Sequence, residues 1–206
     1  MVMPKQIDLE AQRLAIANAA IRVIGDAGLE GTRLRDVAKA AQVTTGAVTH
    51  YFDGKDEVLL AALEEIVRRI LDWETSFDAS LNLKPSEAFF ELACAILPLD
   101  HQSRTEWRVW LAFWGRAIGD ERLRKVHQDY YARMASQLAE ALSQIGGLTP
   151  ERANQTADAV MAAIDGVGVR VTLEPELWPA ARQRETLATL INPLLAVLDA
   201  PTASPL

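Results

Sequence analysis

Apolar residues recur at spacings of three and four along most of the chain, and no segment alternates with the period of two that marks a strand. Leu14, Ala17, Ile21 and Ile24 predict a helix over 9–27, ended by a left-handed Gly28. Leu34, Val37, Ala38 and Ala41 give a short helix, with the hydroxyl of Thr32 expected to cap its start. Gln42 and Val43 form a turn, and Thr44 caps a second short helix in which Val48 and Phe52 face inward. Leu59, Leu63, Ile66 and Ile70 predict a long helix following Gly54, and a polar loop is expected over 78–85. Further helices are predicted over 86–97, 103–118, 121–145, 149–175 and 179–198, with a bend at Pro193 and a frayed tail over 200–206. The expected fold class is all-α: a small three-helix domain over 1–53, then a larger helical domain over 54–206.

Two short helices around a tight turn, the second opening on small and hydroxyl-bearing residues, are the pattern of a helix-turn-helix reader of DNA. Thr45, Gly46 and Ala47 put nothing bulky at the tip of the second helix, where close approach to bases or phosphates is needed. Thr44, Thr45, Thr49, His50 and Tyr51 place hydrogen-bonding groups on its outward face.

The chain of 206 residues carries a net charge of −7, which opposes indiscriminate attraction to a polyanion, so a DNA surface has to be local. Residues 31–55 supply it: Arg33, Arg35, Lys39 and Lys55 against Asp36 and Asp53. The single cysteine, Cys94, reads as a small buried hydrophobe and fits a reducing cytoplasm. Met1–Glu10 lacks an apolar signal core, and no apolar run approaches the ~18 residues needed to span a bilayer, so a cytoplasmic protein without membrane association is expected. His101 and His127 have no metal-ligand spacing, and there is no glycine-rich phosphate loop or nucleophile elbow. No catalytic, cofactor or metal role is therefore expected.

Trp107, Trp110 and Trp114 fall on one helical stripe with Phe113 beside it, and Tyr130 and Tyr131 follow on the next helix. Two readings stand. The stripe is core packing, or it belongs to an aromatic box for a quaternary ammonium ion, with Glu106 or Asp165 as the carboxylate. Ala159, Ala163 and Gly166, with Leu187, Leu190, Leu194 and Val197, offer either intramolecular packing or a face for a second copy of the chain.

The ordered string Thr44, Thr45, Gly46, His50, Tyr51, Phe52 and Lys55 resembles the recognition helix of the tetracycline-repressor (TetR) family, the likeness being strongest over 9–70. Residues 44–52 and 108–114 are most similar to its BetI-type branch, which responds to choline. The resemblance implies a homodimer paired through the last two helices, reading a pseudo-palindromic DNA operator and released by a small-molecule effector. It also implies phosphate contacts for Thr44, Tyr51 and Lys55, flanking contacts for Arg33 and Arg35, and base or backbone contacts for Thr45, Thr49 and His50. The effector is either choline-like or an apolar, drug-like compound. A helical carrier or enzyme without DNA binding is the alternative class. Two positions depart from the family's pattern: Gln42 stands where a turn glycine is usual, and Thr45 and Thr49 replace bulkier residues.

Overall fold

The computed structural model describes residues 9–73 and 83–199, and these are helical throughout apart from caps, turns and short connections. The helices are α1 (Leu9–Gly31), α2 (Leu34–Ala40), α3 (Thr45–Tyr51), α4 (Lys55–Trp73), α5 (Pro85–Ala95), α6 (His101–Gly119), α7 (Glu121–Gly146), α8 (Pro150–Leu173) and α9 (Ala180–Leu195). Short 3-10 turns follow α8 at Pro175–Leu177 and α9 at Ala196–Asp199. Most of the loop expected over 78–85 and all of the tail over 200–206 lie outside the described residues.

The chain forms two compact units: residues up to Arg69 with Thr105–Arg116, and Ile70–Arg104 with Ala117–Leu206. This grouping differs from a division at 53/54, because most of α4 and the middle of α6 belong with the first three helices. The reason lies in tertiary pairs that periodicity does not reveal. The Arg69 guanidinium of α4 reaches Glu65 Oε1 at 2.9 Å, Glu106 Oε1 of α6 at 2.6 Å and Asn18 Oδ1 of α1. Arg116 of α6 pairs with Asp56 at 2.7 Å, and Arg108 donates to the Gly25 carbonyl. Gly25 is required by this packing, since a methyl there would collide with Thr105 Cγ2.

Ile16, Ile24, Val37, Val48, Phe52, Leu59, Leu63 and Ile66 form the core of the first unit. Each removes a side chain from water for roughly 1.5–3 kcal/mol. Leu14, expected in the apolar stripe of α1, is exposed instead. The buried positions there run Ile16, Ala17, Ala20, Ile21 and Ile24. α1 breaks at Gly28, whose φ of 70° and ψ of 166° lie in a region that only glycine visits readily.

Thr32 does not cap α2. Arg33 occupies the N-cap position without a side-chain hydrogen bond, and the buried Thr32 hydroxyl donates back to the Gly28 carbonyl at 2.7 Å. The turn between α2 and α3 sets Gln42 at φ 58°, the one left-handed non-glycine among the described residues.

In the second unit α7 packs on α8, α8 on α9, and α5 on both α7 and α9. Asp100 begins α6 by accepting from the Ser103 N–H at 2.8 Å, two residues before the predicted start. Asp120 and Thr149 cap α7 and α8 in the same way. The carboxylate of Asp199 receives the N–H and hydroxyl of Ser86, which fastens the end of the described chain to the start of α5. Cys94 is buried, and its thiol is pushed up to about 11 by desolvation.

Candidate nucleic-acid interface and effector residues

α3 is built by short-range rules. Thr44, extended at φ −78° and ψ 154°, turns its hydroxyl onto the Ala47 N–H at 3.1 Å and satisfies one of the donors left over at a helix start. Val48 and Phe52, four apart, are buried and fix the rotation of the helix. That rotation leaves Thr44, Thr45, Gly46, Thr49 and His50 exposed on one side. The Thr49 hydroxyl bonds back to the carbonyls of Thr45 and Gly46 at 3.3 and 3.2 Å, which orients it within the helix. A methyl on Gly46 would meet nothing nearer than Thr44 Oγ1 at 3.8 Å, so the fold itself does not demand glycine at this tip.

The expected phosphate-contacting residues behave unequally. Arg33 and Arg35 are exposed, with Arg35 only 3.9 Å from the neighbouring Asp36. Tyr51 is half-buried, and its hydroxyl donates to Gln12 Oε1 of α1 at 2.9 Å. The Lys55 ammonium donates to the carbonyls of Leu29 and Glu30 at 3.3 Å, where it meets the negative end of α1. Tyr51 thus ties the end of α3 to α1, and Lys55 ties the start of α4 to it.

The aromatic set divides between the two compact units. Trp107, Trp110, Phe113 and Trp114 belong to the first, with Trp107, Trp110 and Phe113 buried and Trp114 half-buried. Trp107 and Trp114 meet edge to face at 6.2 Å, Trp110 and Phe113 at 6.3 Å, and Trp110 lies 6.4 Å from Trp114. Such spacings are typical of packed aromatic clusters. Glu106 is taken by Arg69 and is no spare carboxylate.

Tyr130, Tyr131 and Asp165 belong to the second unit. Tyr130 is buried, with the Arg133 guanidinium 5.0 Å from its ring. Its neighbour Tyr131 turns elsewhere on α7, donates to Asp165 Oδ1 of α8 at 2.8 Å, and sets its ring 4.3 Å from that of His127. Burial pushes the Asp165 carboxyl up to about 6, against the opposing hydrogen bond from Tyr131. Burial also lowers the pKa of His127 and, joined by the Asp165 charge, raises that of Tyr131, so both stay neutral near pH 7.

Two family models match this chain. Residues 16–62 match the tetR family of bacterial regulatory proteins, and residues 85–196 match the BetI-type transcriptional repressor C-terminal domain. The chain belongs to the tetR family. It is a DNA-binding transcriptional regulator, not an enzyme, and its C-terminal part is of BetI type. The HTH-type transcriptional regulator BetI of Burkholderia mallei is 31% identical over 94% of this chain and 98% of its own length. A transcriptional regulator from Rhodococcus sp. Rha1 has a crystal structure similar at TM-score 0.79, with 31% identity over 92% of this chain and 98% of that one. A regulator from Saccharomonospora viridis, crystallised in complex with choline, gives a TM-score of 0.74 and 26% identity, covering 89% of this chain and 96% of that one.

For a tetR-family regulator the residues that sequence reasoning missed are supporting ones. Gln12, Asn18, Glu65 and Arg69 bear no motif, and only their packed partners reveal them. Glu65 is 5% exposed and accepts from both Arg68 and Arg69. Burial raises its pKa, but the two guanidinium groups outweigh that and leave it lowered. Among the described residues no helix is long and apolar enough to cross a membrane, and no group of His, Cys, Asp and Glu could hold a metal ion.

Proposed function

We propose that this protein is a homodimeric repressor, working in the cytoplasm, that reads a pseudo-palindromic operator with α3 and leaves it when a small quaternary-ammonium effector binds. One observation carries the DNA half: α3 exposes Thr45, Thr49 and His50 beside a glycine whose lack of a side chain its own fold does not require. A bare helix tip that folding does not need is what close approach to a DNA backbone needs. Thr44, Arg33 and Arg35 contact phosphates, and Tyr51 and Lys55 exchange Gln12 and the α1 carbonyls for phosphate on binding. Residues 1–53 serve as the reader and 54–206 as the effector-binding and pairing part.

Support for the choline-like effector comes from the BetI-type match, from the choline-bound relative and from the partly buried anionic Asp165. The tryptophan cluster is a second candidate for holding the cation, within its own unit. Pairing runs through α8 and α9, where Ala159, Gly166, Leu190, Leu194 and Val197 are exposed. Small residues on one helix and apolar ones on the other suit close packing against a second copy.

The test is fluorescence anisotropy of a duplex taken from immediately upstream of its own coding sequence, with and without choline. The expected result is saturable binding by two chains per duplex, weakened by choline and unaffected by apolar drug-like compounds. Binding no tighter than to unrelated DNA contradicts the reader, and release by the apolar compounds alone contradicts the cationic effector.

A further inference from the structure

Asp165 and Tyr131 lie 34 residues apart, on different helices of one compact unit, and are joined by a 2.8 Å hydrogen bond. Among the described residues Asp165 has no cationic partner. Its neighbours in this group are a phenol and, through the phenol ring, the half-buried imidazole of His127. A carboxylate partly withdrawn from water with only one neutral donor is costly unless a countercharge arrives. Two nearby groups offset this cost only in part: Tyr131 donates a hydrogen bond but no charge, and burial disfavours the charged form of His127. The other carboxylate that the sequence offers beside the aromatic residues, Glu106, already has its arginine. One acid is neutralised internally and the other is left short of a cation.

We propose that the Tyr131–Asp165 pair selects the effector by net charge, admitting a small organic monocation and refusing an uncharged molecule of the same shape. The inference rests on the cationic-effector reading above and sharpens it, because aromatic rings alone favour a cation far less than a desolvated carboxylate does. Tyr131 is the positioning residue: its hydroxyl fixes one carboxylate oxygen, and its ring offers a π surface close to the charge.

The experiment is a calorimetric titration of the full-length protein with choline chloride and with the uncharged carbon analogue of choline, in which a tert-butyl group replaces the trimethylammonium head. Wild type is expected to prefer choline by on the order of tenfold or more. Asp165→Asn removes that preference, weakening choline binding and leaving the analogue unchanged or improved. Tyr131→Phe weakens choline binding less and keeps the preference. Melting curves guard against loss of fold, since Asp165→Asn removes an uncompensated charge and is expected to melt at or above wild type. If Asp165→Asn binds choline as tightly as wild type, the charge selection by this pair is overturned while the cationic effector stands. If wild type binds neither compound, or binds both equally, the cationic effector fails and the inference with it.

Discussion

The recognition helix and the Tyr131–Asp165 pair place their polar groups under opposite conditions. In α3 the hydroxyls of Thr44 and Thr49 find partners within three or four residues and remain exposed. The carboxylate of Asp165 finds its partner across 34 residues and is largely withdrawn from water. Surface polar groups with local partners cost the fold little, so outside the Thr44 cap the exposed face of α3 can vary its chemistry with small effects on stability. A partly buried charge bears on stability directly, so under the proposed role of Asp165 a change there moves effector binding and stability together.

The largest effect expected from this contrast lies beneath the reader. Phe52→Ala empties a buried position that orients α3 and is expected to cost about 3–5 kcal/mol, seen as a lower melting temperature together with lost operator binding. A loss under 1 kcal/mol with binding intact breaks the claim that packing sets the rotation of α3.

Next comes a pH effect at Asp165. Its pKa is raised from 3.8 to about 6, so the folded state holds this proton more tightly than the unfolded chain does. Its contribution is present in full below about pH 4 and is lost as pH rises through about 6, amounting to roughly 1–2 kcal/mol after allowing for solvent screening. Glu65, with its lowered pKa, acts in the opposite sense, losing stability as pH falls. Subtracting the Asp165→Asn stability profile from that of wild type isolates the first effect, and a flat difference between pH 4 and 6 refutes it.

The smallest effects sit on the surface of α3. Thr44→Ala removes the helix cap at about 1 kcal/mol. Thr49→Ala is expected to leave the melting temperature unchanged or slightly raised, alanine being the better helix former, while weakening operator binding. Equal losses of stability from the two changes blur the distinction between capping and reading.

The same contrast explains what could be read from the amino-acid order. The Thr44 cap, the stop at Gly28 and the inward Val48 and Phe52 follow from rules acting over a few residues. The cap expected from Thr32 does not form because Arg33 takes the extended cap position, leaving the threonine hydroxyl to the Gly28 carbonyl. Periodicity puts Trp107, Trp110 and Trp114 on one face but does not say what covers it. Tyr130 and Tyr131, adjacent on α7, are turned in different directions by the helical rotation, and only the folded packing shows which partner each meets. The inclusion of Thr105–Arg116 in the first unit depends on Arg69, Arg108 and Arg116 finding partners far along the chain.

Effector and operator act on one another only if each prefers a different state of the protein, and the coupling is then reciprocal. The most direct test measures choline affinity on free protein and on protein saturated with operator duplex. The account predicts that operator weakens choline binding by the same factor by which choline weakens operator binding, within the ~5–150-fold range usual for such coupling. An identical choline affinity in the two states contradicts it.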